Sequence, residues 1–343
     1  MSNEQKNTVR LYACGGVGIN VLSILENARK QSVVGLSNYE SCYIDTSKSN
    51  MFKKNLNADD IYTFTDTDGS GKIRKENHKV ISENTKAILQ KFKPTTFNIV
   101  IHSGSGGTGS TVGPSIVSEL LKNNKEVIVL VVGTFNSVIE VENTTKTLQS
   151  YEAISKLRSK NVNLVYLQNS ITTNDESTIN AQAIQIISML LGLMSGEHEQ
   201  LDTADIKTWL NHNKITESEP CINNVLIGMG PDLQSYHKGE HFEIDSPIAV
   251  ATLATRDMNT RYNHTPAVKF EGYVPLEWKS GDGNNLTMIG QDAIHFCVME
   301  DKMSSIYKNL STYLKSLKEA QNSRVRRSSI LGDDDVTDDG LVL

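Results

Sequence analysis

Apolar positions along the first half of the chain switch repeatedly between strand and helix spacing. Val9–Ala13 is a β-rich run closed by glycines, and Ile19–Ala28 then carries its apolar residues at helical spacing. Ser41–Ile44 predicts a second strand, ending at Asp45. Lys79–Lys91 reads as a helix, Phe97–His102 as a strand, and Val127–Gly133 as an almost unbroken apolar strand. Thr144–Lys160 predicts a helix and Asn163–Leu167 a further strand. Continuous apolar runs of this length fit parallel strands covered on both faces. Strands interleaved with helices predict a Rossmann-like, doubly wound α/β sheet.

The second half is organised differently. From Ser177 to about Gly196 the pattern is helical but apolar nearly all round, through Ile179, Ala183, Ile186, Ile187, Leu190, Leu191 and Leu193. A helix apolar on every side must be buried, here between two domains. β-like segments follow around Asn224–Met229, Ile248–Thr255, Ala267–Val274 and Ala293–Met299, predicting a smaller α+β domain. A long helix spans Met299–Ser323, with Met303, Ile306, Leu310, Leu314 and Leu317 on one stripe. The predicted division is a nucleotide-binding domain 1–176, a central helix 177–197, a second domain 198–299, a C-terminal helix 300–323 and a tail 324–343.

Composition narrows the class. The 343 residues suffice for two domains, and a net charge of −6 argues against a nucleic-acid coat. Cys14, Cys42, Cys221 and Cys297 lie far apart, without a CxxC pair, as expected of reduced thiols in a cytoplasmic protein. The N-terminus is polar, with no signal-peptide pattern, and the longest apolar runs, Val127–Phe135 and Ile184–Met194, are too short to cross a bilayer.

The candidate chemistry begins with Ser103-Gly104-Ser105-Gly106-Gly107-Thr108-Gly109-Ser110, between the strand Phe97–His102 and a helix from Gly113. Glycines in a strand-to-helix turn let N–H groups converge on an anion, and the helix dipole favours negative charge there. There is no lysine of the Walker type, so a nucleotide bound here should arrive with Mg²⁺. Gly15-Gly16-Val17-Gly18-Ile19-Asn20 is a looser strand-to-helix turn. With Asp45 at the end of the next strand it is compatible with NAD, although a second glycine loop favours a mononucleotide. Asp45-Thr46-Ser47-Lys48-Ser49-Asn50 can serve phosphate or metal, or cap a helix. Asp66-Thr67-Asp68-Gly69-Ser70-Gly71-Lys72-Ile73 resembles a calcium loop, but its twelfth position is Asn77 where a bidentate glutamate is needed. It is better read as a flexible loop.

The run Gly104–Ser110 resembles the signature loop GGGTGSG of the tubulin/FtsZ family, with Ser105 where glycine is usual. Other features follow in family order. The first loop carries Asn20, Asp45–Asn50 stands where the second loop meets phosphate, and Gly69, Ser70 and Gly71 stand in the third, γ-phosphate-sensing loop, with Lys72 or Arg74 to meet the charge. The resemblance places Asn169 and Asn180 near guanine, and Asn136, Glu140 and Asn143 near the ribose. Leu201-Asp202-Thr203-Ala204-Asp205-Ile206 resembles the family's synergy loop, with Gln200 where asparagine is usual. Its two acids lie on one side of a helical turn. Taken without the glycine loops, these residues favour a helix cap, Asp202 with Asp205 as an acidic first turn.

The resemblance implies a GTPase that binds GTP·Mg²⁺ through Gly15, Gly16, Gly18, Asp45, Thr46 and Gly104–Ser110. Asp202 and Asp205 would reach the nucleotide of the next subunit in a head-to-tail homopolymer. The acidic segment Asp333–Leu343 resembles the tail with which phage tubulins grip a neighbouring subunit. A filament in the infected bacterial cytoplasm that positions phage DNA, its compartment or capsids would follow, without direct nucleic-acid or membrane binding. A plasmid-segregating tubulin and an NAD-dependent oxidoreductase are the rival readings.

Overall fold

Strand β1 (Val9–Cys14) lies between β2 and β4 in a sheet ordered β3-β2-β1-β4-β5-β6-β7-β9-β8. The other strands are β2 (Tyr39–Asp45), β3 (Ile61–Thr63), β4 (Phe97–Ser103), β5 (Glu126–Thr134), β6 (Val162–Asn169), β7 (Ile222–Met229), β8 (Pro247–Ala254) and β9 (Ala293–Met299). The computed structural model describes residues 7–31, 38–51, 54, 56–65, 67–134, 136–169, 176–196, 201–214, 217–229, 247–254, 293–299 and 302–324. The predicted strand Ala267–Val274 and the tail Asp333–Leu343 fall outside the described residues.

β1 to β7 pair in parallel, and β9 then pairs antiparallel with both β7 and β8. The strands assigned by sequence to a second domain therefore continue the same sheet, joined where Val162–Leu164 of β6 meets Ile222–Asn224 of β7. The chain reverses its direction of winding between β1 and β4, and such a switch point opens a crevice beyond the C-terminal ends of the strands.

The unbroken apolar runs conceal a period of two. Leu11, Ala13, Ile99, Ile101, Leu130 and Val132 face one core, with Ile19 and Leu22 of α1 (Gly15–Gln31) and Ile187 and Leu190 of α5 (Glu176–Met194). Tyr12, Cys14, Val100, Val129 and Val131 face the other. There they pack with α2 (His78–Lys91), α3 (Gly109–Lys122), α4 (Val138–Arg158) and the final helix α7 (Lys302–Arg324). Both faces are covered by helices, which is why polar alternation is absent from the sequence.

α5 matches the helix predicted from Ser177 to about Gly196 to within two residues at either end. At 19 residues it is long and apolar enough to span a bilayer by length and composition. However, Ile179, Ala183, Ile186, Ile187, Leu190, Leu191, Leu193 and Met194 lie in the sheet's own hydrophobic core. α4 begins at Val138, six residues before its predicted start; the first glycine turn is absorbed into the start of α1, whereas Gly104–Thr108 form a bend ahead of α3, which begins at Gly109. The short α6 (Thr203–Leu210) follows α5 and is anchored by buried Ile206, Trp209 and Leu210.

Candidate functional site

A cleft of about 1050 Å³ opens at the switch point. Its walls bring together Gly16, Asn20, Asp45, Gly69, Ser70, Ser105, Gly106, Gly107, Thr108, Gly109, Asn169 and Asn180, residues drawn from separate parts of the sequence. Gly15, Gly18, Thr46, Gly71, Gly104, Ser110 and Asn143 are not part of that wall. Most of them shape it from behind.

The two glycine loops touch. Gly15 has φ +71°, and a Cβ on it would lie 2.8 Å from the Gly109 nitrogen. Gly18 sits deeper, where a Cβ would come within 2.3 Å of the Ile101 carbonyl oxygen, so its smallness lets α1 pack on β4. In the Gly104–Ser110 loop, Ser103 Oγ accepts from the Ser105 and Gly106 N–H groups at 3.1 and 3.3 Å. Ser110 Oγ donates to the Gly106 carbonyl, and Thr111 Oγ1 donates to the Gly107 carbonyl at 2.9 Å. N–H and C=O of a trans peptide point in opposite directions. Holding those carbonyls toward α3 therefore turns the Gly107 and Thr108 N–H groups away from the helix, as an anion cradle requires. Asn143 Nδ2 supports the same loop, donating to Ser105 O at 3.0 Å and to Lys72 O at 2.8 Å.

The second loop meets the cradle through hydroxyls. Buried Thr46 Oγ1 shares a 2.6 Å bond with Thr108 Oγ1, which also lies 3.3 Å from Ser70 Oγ. Asp45 is almost wholly buried and accepts from Asn50 Nδ2 at 2.7 Å and from Ser47 N at 3.3 Å. Burial raises its carboxyl above the ordinary range, and these hydrogen bonds oppose the rise. Lys54 Nζ donates to Asn20 Oδ1 at 2.7 Å, with its own affinity for a proton lowered by burial. Nothing in its sequence surroundings marks Lys54 as a site residue, because only the fold turns it back onto α1.

The third loop is built on left-handed backbone: Gly69 has φ +77°, Gly71 +52° and Lys72 +65°. Asn77 Nδ2 donates to Gly69 O at 2.6 Å, so the position a calcium loop would give to a glutamate instead ties the loop to itself. Asp66 lies outside the described residues. The structure separates the two cations proposed for this loop. Lys72 lines the cleft and pairs with Glu140, whereas Arg74 turns under the cradle to the Asn143 carbonyl, Thr147 and Ser150 of α4.

At the far end stand Thr134, Asn136, Glu140, Asn169, Glu176 and Asn180. Thr134 Oγ1, Glu140 Oε2 and Asn169 Oδ1 are buried there without a hydrogen-bond partner among the described residues. Unpaired buried polar atoms are costly, so a cluster of them on one wall fits a polar ligand carrying its own donors. A nucleoside has that character. Glu176, like Lys54, is a wall residue that no motif announced.

The acidic pair is elsewhere. Asp202 is the N-cap of α6, its Oδ1 accepting from Ala204 N at 2.7 Å and from Asp205 N at 2.8 Å. Asp205 Oδ2 accepts in return from Asp202 N at 3.1 Å, closing a capping box. Asn7, just before β1, bonds to Ser195 and Thr203 beside this pair, while Cys14 at the other end of β1 lines the cleft. Six strand residues span about 20 Å. Cleft and acids thus occupy opposite poles of one subunit. Gln200 lies outside the described residues.

No protein-family model matches the sequence. The chain is 28% identical, over 98% of its length and 98% of the relative's, to the phage tubulin-like protein of Pseudomonas phage phiKZ. It is 27% identical to that of Pseudomonas phage PhiPA3, over 98% and 99%. Among solved structures, a TubZ protofilament from bacteriophage PhiKZ superposes with a TM-score of 0.76 at 27% identity, covering 98% of this chain and 99% of that one. The phage tubulin PhuZ, solved with GDP, has the same fold, with a TM-score of 0.75 at 21% identity over 98% and 99%. Read with the cleft and its two glycine loops, these likenesses show that the chain resembles the phage tubulin-like proteins over nearly its whole length and shares their fold.

Proposed function

We propose that this chain is a GTPase that assembles head to tail into cytoskeletal filaments and hydrolyses GTP where one subunit meets the next. The observation that carries this reading is the placement of the acidic pair at the pole opposite a cleft suited to a nucleotide. Carboxylates that cannot reach their own subunit's ligand can reach a neighbour's. The relatives named for protofilaments and filaments support such assembly.

In this reading Gly16, Gly106, Gly107, Thr108 and Gly109 hold the phosphates by backbone N–H groups, with Gly15 and Gly104 allowing the close approach. Asp45, Ser47 and Asp68 stand on the phosphate side, where Mg²⁺ bound to the triphosphate would find oxygen donors. Mg²⁺ would neutralise charge on the transferring phosphoryl group. Asn169 and Asn180 face the base, and Asn136 and Glu140 the ribose. Asp202 and Asp205 orient the attacking water across the subunit contact and accept its proton. The domain division, the tail Asp333–Leu343 as an inter-subunit grip, and a role in positioning phage DNA in the host bacterial cytoplasm belong to the same proposal. A plasmid-segregating role and an NAD-dependent oxidoreductase are both less favoured, since the matched relatives are phage tubulin-like and both glycine loops serve one cleft.

The deciding experiment is GTP turnover per subunit against protein concentration. The rate should be near zero in dilute protein and rise above a threshold concentration. A rate that stays constant down to dilute protein would refute a shared site. Thermal shifts provide a second measurement: GTP and GDP should stabilise the protein and NAD should not.

A further inference from the structure

Asn7 stands where the sheet meets the acidic pole. Its backbone N–H donates to the Ser195 carbonyl at 2.8 Å, just beyond the end of α5. Its side-chain Nδ2 donates to Thr203 Oγ1 at 2.9 Å, on the first residue of α6. Between these two contacts, the amide passes over Gly196, whose φ is +68° and on which a Cβ would lie 3.6 Å from Nδ2. One residue thus grips the end of one helix and the start of the next, and leads directly into β1.

The two acids flank the residue that Asn7 holds. Asp202 precedes Thr203, and Asp205 follows within the same first turn. Their bonds close on each other's backbone, which fixes the turn internally but does not tie it to the sheet. Apolar burial holds the two sides of the turn, through Leu201 before Asp202 and Ile206 after Asp205, and Trp209 packs against Phe296 with ring centroids 6.1 Å apart. The Asn7–Thr203 bond, however, is a directional polar tie from the turn between the acids to the start of β1. Helix ends fray when their first turn lacks a tertiary contact. We infer that Asn7 is a positioning residue for the acidic pair, fixing it to the strand whose other end carries the phosphate loops. The inference rests on the proposed catalytic role of Asp202 and Asp205. It adds that their placement depends on a contact made by a residue with no chemistry of its own.

A misplacement of about 1 Å in a catalytic group can cost on the order of 100-fold in rate. Partial loosening by Asn7→Ala should lower kcat in assembled filaments about tenfold. GTP affinity and the critical concentration should stay within about twofold, because neither depends on the acids' aim. Thr203→Val removes the acceptor and should reproduce the defect, while Thr203→Ser retains it and should turn over at the wild-type rate. Residues acting through one contact are non-additive, so the double variant Asn7→Ala/Thr203→Val should be no slower than either single change. Wild-type kcat in Asn7→Ala, or multiplying effects in the double variant, would overturn the inference. So would a slow Thr203→Ser, or losses of affinity and assembly that match the loss of kcat. Asp205→Ala run in parallel separates the two levels. If it turns over normally, the catalytic reading and this inference both fall. If it is inactive while Asn7→Ala is normal, only the inference falls.

Discussion

Lys72 Nζ lies 2.6 Å from Glu140 Oε1, joining the third loop to the start of α4 across the cleft wall. The lysine is 55% exposed and the glutamate only 11%, so the carboxylate is the fixed partner and the ammonium the mobile one. An ion pair with one exposed member contributes little to stability, about 0–1 kcal/mol. Lys72→Ala should therefore fold normally. It should weaken GTP binding about tenfold and GDP binding much less, because the third loop faces the terminal phosphate in the proposed pose. Titration with fluorescent analogues of both nucleotides tests this; equal losses would show that Lys72 does not distinguish them.

Two glycines with different surroundings should respond differently to alanine. At Gly18 the new Cβ would lie 2.3 Å from a strand carbonyl, which can shift only if α1 leaves β4. Overpacking of that kind costs about 1–3 kcal/mol or more, and Gly18→Ala should lower the melting temperature of the free protein. At Gly107 the new Cβ would lie 2.0 Å from Ser70 Oγ and 2.7 Å from its Cβ. The exposed third loop can move aside there, so Gly107→Ala should keep its stability and lose nucleotide affinity at least tenfold. Calorimetry without nucleotide, then with GDP, separates the two outcomes.

Asp205→Ala opens one half of the capping box, at a cost of about 1 kcal/mol. A loss that small leaves GTP binding and filaments in place. Turnover should nonetheless fall at least 100-fold. Phosphate release from pre-formed filaments is the measurement, and wild-type release would remove Asp205 from the reaction.

His102 lies beneath the Gly104–Ser110 loop near the end of β4. Its Nδ1 donates to the Ser103 carbonyl at 3.0 Å, since a carbonyl can only accept. Nε2 is then left to accept from the Tyr151 hydroxyl at 2.5 Å. Burial pushes its pKa down to about 4, with the nearby Arg74 adding and the Ser103 bond opposing. The folded chain therefore binds a proton less readily than the unfolded chain, where histidine titrates near 6.5. The resulting stability is intact above pH 6.5 and is lost as the pH falls toward 4, by on the order of 3 kcal/mol. Urea midpoints between pH 7.5 and 4.5 should show this slope in the native chain and not in His102→Asn. The same slope in both would assign it to other groups.

Much of the sheet was legible because strands buried on both faces leave continuous apolar runs. The short β3 was not, since a three-residue element carries too little pattern to separate from a loop, and of α6 only the capping pair Asp202 and Asp205 could be read. α4 was placed late because its first turn, Val138–Val141, mixes exposed and buried residues at the cleft. In the site, glycines and hydroxyls clustered in short runs could be read directly. Lys54 and Glu176 could not, because each reaches the cleft through a fold contact between distant segments.

The order of residues alone determined the parallel sheet and both glycine loops, since backbone freedom and apolar period are local properties of a few neighbours. The tertiary structure decided which of Lys72 and Arg74 faces the cleft, which glycines line it and which merely permit packing, and how far Asp202 and Asp205 stand from it. Those are distances between segments separated by tens to hundreds of positions. They exist only after the helices have packed on the sheet and set each side chain's direction.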